Sequence, residues 1–267
     1  MKVRGIIASV LASTALLAAT SGAALADCRG DTPSYVALGD SVSSGVGSSG
    51  PFSDPVCLRS PNGFPQQLAD ISHASSFTFA ACSGATTAAV TANQLSPLTT
   101  STSLVTITIG GNDLGFTTGI GTCAQGTDAD CLNTVVAAEQ FAATTLPSRL
   151  DAVYAAIKQR APRARLLVAG YAHFFELTGD CAGQPFDLVK RTALNDAVDA
   201  LDRTIATRAA KNGARFVDVR HAFDGHGLCG TTPWMNGLTA ATGPFHPNDA
   251  GYRLGYLPVL RTAAGRH

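Results

Sequence analysis

Tyr35-Val36-Ala37-Leu38-Gly39-Asp40-Ser41 is the stretch on which the reading of this chain turns. A short apolar run stops on a glycine, and an acid and a serine follow at once. The run fits a buried strand and the glycine a tight turn. A rigid sheet would then fix where the serine hydroxyl points. Alone, Gly-Asp-Ser suits any turn. Its meaning depends on whether the rest of the chain supplies a base and donors for an oxyanion.

Other segments end in a similar way. Phe77–Ala81 stops before Cys82-Ser83-Gly84. Leu104–Ile109 is β-branched almost throughout and stops at Gly110-Gly111-Asn112-Asp113. Arg165–Ala169 and Arg215–Val219 bring the predicted strands to five. Between them the pattern turns helical. Glu139–Arg160 is expected to be a helix broken or kinked at Pro147. Phe186–Lys211 places Leu188, Val189, Leu194, Val198, Leu201 and Ile205 on one stripe, with Gly213 just past its end. Pro247–Arg261 is expected to be a C-terminal helix with Pro247 in its first turn. Ser43–Pro61, Thr117–Cys131 and Ala222–Gly243 look irregular, each pinned by cysteine. Strands alternating with helices predict an α/β fold, a parallel sheet with helices on both faces. Ligands bind at the carboxyl ends of such strands. The first three polar, glycine-rich ends would therefore share one edge.

The first 26 residues read as a secretory signal peptide. Lys2 and Arg4 precede an apolar stretch from Ile6 to Ala19, and Ala24-Leu25-Ala26 is a small-x-small cleavage site. Residues 27–267 then form a single domain, long enough for a full core. The leader takes two of the 19 basic residues and none of the 19 acidic ones, which leaves 17 against 19, a net charge of about −2. Nothing in that balance suits nucleic acid or a charged membrane surface, and no other stretch is long and apolar enough to anchor the chain in a bilayer. A neutral or apolar partner, small molecule or lipid, suits that balance better than a polyanion, and the expected state is a monomer. Seven cysteines in a secreted chain point to disulfides. Cys57, Cys82, Cys123, Cys131, Cys181 and Cys229 can form three bridges in fifteen ways. Pairing neighbours closes the shortest loops and leaves Cys28 over. Their spacing is not that of a zinc site, and no metal or cofactor is expected.

A nucleophilic serine needs a base, usually histidine, and donors for a tetrahedral intermediate. Among the six histidines, His246 stands out, because Pro244 and Pro247 restrict the backbone around it at a loop-to-helix junction. Asn112 follows two glycines at a strand end, and the Gly84 backbone can approach a substrate closely. The Ser41 N–H, the Gly84 N–H and the Asn112 amide would make a three-donor hole. Phe116, Phe245 and Trp234 are candidates for lining an acyl groove. Gly45-Val46-Gly47-Ser48-Ser49-Gly50 matches a dinucleotide fingerprint, but loop rather than helix follows it, at Pro51-Phe52-Ser53-Asp54-Pro55.

Taken together, Gly39-Asp40-Ser41, Gly84, Gly110-Gly111-Asn112-Asp113 and His246-Pro247 resemble the SGNH (GDSL-type) hydrolases, in that family's block order. The Val-Ala-Leu-Gly-Asp-Ser start and the six later cysteines resemble its secreted actinobacterial lipase and esterase branch. The resemblance implies a three-layer α/β/α sandwich with a five-stranded parallel sheet. It implies Ser41 as nucleophile, His246 as base, and Ser41, Gly84 and Asn112 as oxyanion donors. It also supports sequential pairing of the six cysteines. Where many members carry an orienting Asp, three residues before the histidine, this chain has Gly243. The expectation is a Ser41–His246 dyad, with the carbonyl of Gly243 or Pro244 accepting from the ring and Asp249 facing elsewhere. The activity implied is hydrolysis of fatty acyl esters. Phospholipid acyl hydrolysis, removal of acetyl groups from polysaccharides, and a non-catalytic binding module are the alternatives.

Overall fold

The computed structural model describes residues 1–2, 32–241 and 243–265. The proposed leader at 1–26, its cleavage site and Cys28 fall almost wholly outside the described residues. Every element below lies within Thr32–His267.

Five strands form one sheet: β1 (Ser34–Gly39), β2 (Ser76–Phe79), β3 (Leu104–Thr108), β4 (Arg165–Ala169) and β5 (Arg215–Val217). Every pairing is parallel and the order is β2-β1-β3-β4-β5. Every residue of β3 is buried, as a central strand covered on both faces should be. Its two threonines bring hydroxyls into that interior, and both find partners. Thr106 Oγ1 bonds the Tyr35 hydroxyl at 2.7 Å. Thr108 Oγ1 donates to Asp40 Oδ1 at 2.6 Å.

Among the described residues, eight α-helices lie between and after the strands: α1 (Ser41–Ser44), α2 (Phe64–Ile71), α3 (Thr87–Asn93), α4 (Phe116–Gln125), α5 (Asp128–Thr144), α6 (Leu146–Arg160), α7 (Leu188–Lys211) and α8 (Leu257–Gly265). On one face α2 packs with α8; on the other α6 joins α3, α5 and α7. The result is the three-layer α/β/α sandwich.

Several elements differ from the sequence expectation. Pro147 does not kink a helix; it sits in the first turn of α6, after α5 has ended at Thr144. Thr117–Cys131 is not irregular. It holds most of α4 and the start of α5, whose Thr127 and Asp130 form a capping box. On α7, Leu194, Val198, Leu201 and Ile205 are buried, but Leu188 and Val189 are 53% and 45% exposed, because the first turn extends beyond the sheet's cover. Pro247 bridges Met235 rather than entering a helix. The C-terminal helix starts after Asn248, whose side chain accepts from the Ala250 and Gly251 N–H groups, and it passes through a π-helical stretch (Gly251–Tyr256) before α8.

Candidate active site

Asp40 caps α1, accepting from Val42 N at 3.1 Å. The turn from β1 into α1 is possible only at a glycine. Gly39 has φ +123°, and a Cβ there would stand 2.4 Å from the Thr108 carbonyl oxygen. Gln94 holds both sides of that glycine: its Oε1 accepts from Gly39 N at 2.7 Å and its Nε2 donates to Gly39 O at 2.9 Å. Ser41 is thus the first residue of a pinned one-turn helix, and its N–H has no acceptor among the described residues.

His246 arrives from the other end of the chain. Phe245 N donates to Asn236 O at 3.0 Å and Asn236 N donates to His246 O at 2.9 Å, so the loop before the histidine is bonded on both sides of its turn. Gly47 lies against it so closely that a Cβ would come within 2.7 Å of His246 Cβ and 2.5 Å of the Pro247 carbonyl oxygen. Gly45 caps α1 in the left-handed conformation. The glycines of the dinucleotide-like motif therefore end the helix that Ser41 begins and seat the histidine loop, which leaves no helix for a nucleotide.

His246 Nε2 stands 2.7 Å from Ser41 Oγ. The other ring nitrogen, Nδ1, faces the Pro244 carbonyl oxygen at 2.9 Å. A carbonyl only accepts, so Nδ1 carries the hydrogen and Nε2 presents its lone pair to the serine. Burial holds the His246 pKa below 6.5, partly offset by the Pro244 carbonyl. Asp249 is turned away, accepting from Ser49 N at 2.9 Å and Ser49 Oγ at 2.6 Å.

Asn112 opens a short 3-10 turn after β3 and donates one amide hydrogen to Ala85 O at 3.0 Å, leaving the second free for other use. The next residue, Asp113, accepts from Thr87 N at 2.8 Å and Thr87 Oγ1 at 2.6 Å. These bonds bind the Asn112 turn to the loop that carries Gly84. Gly84 has φ +78° with open space where a Cβ would go, so backbone conformation rather than crowding calls for glycine there. The disulfides are Cys57–Cys82, Cys123–Cys131 and Cys181–Cys229. The first sits beside the Gly84 loop, where Ser83 N donates to Cys57 O at 3.0 Å.

A cavity of about 330 Å³ opens on this group. Ser41, Asn112 and His246 form its polar rim, and Phe116, Ile120, Phe174 and Phe245 much of its apolar wall. Gly84 is not part of that wall; its loop meets the site through Ala85. Trp234 is elsewhere, stacked on His226 with ring centroids 3.7 Å apart and packed against Phe223. Tyr171, just beyond β4, also reaches the cavity, and sequence reasoning missed it. The available signal was positional: it follows Ala169-Gly170 at the same carboxyl edge as the other strand ends.

A doubly wound sheet with a serine and a histidine at its carboxyl edge is an α/β hydrolytic architecture. The chain belongs to the GDSL-like lipase/acylhydrolase family, whose model matches residues 37–254, and is accordingly a carboxylic ester hydrolase. It is 44% identical to Lipase 1 of Streptomyces coelicolor over 252 residues, covering 92% of this chain and 93% of the relative. Among solved structures, it is similar to phospholipase A1 from Streptomyces albidoflavus NA297, with a TM-score of 0.83, 42% identity, and coverage of 86% of this chain and 99% of that one. The extracellular lipase from Streptomyces rimosus matches with a TM-score of 0.82 and 44% identity, over 86% and 98% of the two chains.

Proposed function

We propose that this chain is a secreted serine esterase that hydrolyses lipid-like acyl esters. The observation that carries the reading is the 2.7 Å approach of His246 Nε2 to Ser41 Oγ at the rim of an apolar cavity. His246 takes the Ser41 proton as the oxygen attacks the ester carbonyl. The tetrahedral oxyanion is held by the Ser41 and Gly84 N–H groups and the Asn112 amide, where each donor contributes about 2.7–4 kcal/mol. The intermediate collapses as the imidazolium protonates the departing alcohol, leaving an acyl-enzyme on Ser41. Water, deprotonated by the same imidazole, then releases the acid. Pro244 replaces the usual orienting carboxylate: its carbonyl fixes the tautomer and supports the positive ring.

Residues 1–26 act as the export signal, and the mature domain begins at 27, works as a monomer and needs no metal or cofactor. The relatives' names, lipase and phospholipase A1, favour long acyl esters, including those of phospholipids. The apolar wall supports the same reading and gives little reason for an acetylated polysaccharide.

The test is hydrolysis of p-nitrophenyl esters from acetate to palmitate by the wild type and by Ser41→Ala. Turnover in the wild type, rising beyond acetate and absent in the variant, is expected. A folded, disulfide-intact wild type that turns over none of these esters, or a variant as active as the wild type, would overturn the assignment.

A further inference from the structure

We infer that Tyr171 is a positioning residue for ester hydrolysis, its hydroxyl locking the nucleophile turn to the oxyanion turn. The inference rests on the serine-esterase reading above. The Tyr171 hydroxyl donates to Asp40 Oδ2 and accepts from Gly111 N at 3.2 Å. Asp40 precedes the nucleophile, and Gly111 precedes Asn112. One oxygen therefore joins the residue before each of two catalytic groups that leave different strands, β1 and β3.

The three partners are fully committed. Asp40 is 1% exposed. Its Oδ1 accepts from Val42 N and Thr108 Oγ1, while Oδ2 has the tyrosine hydroxyl as its hydrogen-bond partner among the described residues. Burial raises the Asp40 pKa to about 6, and the donors from Thr108 and Tyr171 work against that rise. Burial beside Asp40 pushes the Tyr171 pKa well above 10. Above pH 6 the pair is a carboxylate receiving a proton donor that does not itself ionise.

Tyr171 is in turn held from behind. Its N–H is shared between the two Asp202 oxygens at 3.0 and 3.2 Å. Gly170 before it has no room for a side chain, since a Cβ would stand 2.5 Å from Asp202 Oδ2. The Gly170 carbonyl accepts from the Tyr256 hydroxyl at 3.0 Å. The phenol is thus aimed from a fixed end of β4, and its ring fills part of the cavity wall. Removing only the oxygen leaves the ring in place and strips Asp40 Oδ2 and Gly111 N of their shared partner. Both turns then gain freedom at the point where Ser41 and Asn112 must meet one carbonyl, and small misplacements there are costly.

Tyr171→Phe tests this on the p-nitrophenyl ester series. The expected result is a fall in kcat of about ten- to hundred-fold, with KM within about two-fold and the same fall for short and long esters. Asp40→Asn, which disrupts the same bridge from its other end, should give the same split. The double variant should lose little beyond either single one. An unchanged kcat in folded Tyr171→Phe would overturn the inference, as would a rise in KM alone, which marks a merely lining residue. If Tyr171→Phe does not fold, Asp40→Asn decides: folded with unchanged kcat, it overturns the inference as well. A wild type without Ser41-dependent turnover would instead overturn the esterase reading, so the two failures are distinct.

Discussion

At the residue scale, the proposed base, His246, is a histidine whose charge the fold resists. Burial lowers its pKa from 6.5, and the Pro244 carbonyl recovers part of the loss by accepting from the ring N–H. The reacting form is the neutral imidazole. Activity is therefore full above the folded-state pKa and is lost as pH falls through it. Since that pKa is depressed, the acid limb of kcat/KM should have its midpoint below 6.5 and no drop between pH 7 and 8. A pH profile on a soluble short ester checks this. A midpoint above 7 would mean that the positive ring is supported by more than one carbonyl. The pair was legible in sequence because each member sits at a place with few conformational options: Ser41 after the glycine that ends a strand, His246 between two prolines. Which carbonyl faces the ring was not legible. Gly243 and Pro244 differ by one peptide, and only the folded loop, with Phe245 at φ +57°, places Pro244 O against Nδ1.

At the scale of elements, the disulfides reinforce loops that local structure alone holds weakly. Cys57 and Cys82 are separated by 25 residues and join the loop after α1 to the loop after β2, two residues before Gly84. Chain entropy for a loop of that length gives about 3.5 kcal/mol of stabilisation. Replacing both cysteines by serine should lower unfolding stability by roughly that amount, measured in denaturant. It should also reduce kcat, because the Gly84 loop loses its anchor; a destabilised variant with wild-type kcat would place Gly84 outside the oxyanion hole. β1, β3 and β4 were readable because short apolar runs stop at or just before a glycine. The helix α4 was not, because Phe116-Thr117-Thr118-Gly119-Ile120-Gly121-Thr122 carries threonine and glycine, which propensity assigns to loops. Packing of α4 on α5 and the Cys123–Cys131 bond override that preference. Leu188 and Val189 failed in the opposite sense: they fit the apolar period of α7, but that period cannot show where the covering layer ends.

At the scale of the whole molecule, two buried acids, Asp40 and Asp202, are tied together through one residue. Tyr171 joins them: its hydroxyl meets Asp40 and its N–H meets Asp202, 31 residues further along the chain. No local pattern announces such a link, which is why the sequence left it unseen. Burial raises the pKa of Asp202 from 3.8 to about 8, although Tyr171 N–H and Arg220, 3.8 Å away, favour its charge. The folded state therefore keeps a proton on Asp202 that the unfolded chain gives up near pH 4. Between about pH 4 and pH 8 the native state binds more protons than the unfolded one, so this residue subtracts stability as pH rises through that window. Asp151 acts at the other end. Its bonds to Arg208 lower its pKa to about 2, so its contribution is present at neutral pH and fades as pH falls from about 4 toward 2. Asp202→Asn removes the titration but keeps an oxygen for the Tyr171 N–H. Its melting temperature relative to the wild type should therefore rise steadily from pH 5 to pH 8.5, as calorimetry on both proteins would show. A gap that stays constant across that range would mean that Asp202 is ionised in the native state, with Arg220 as a full counter-charge rather than a distant one.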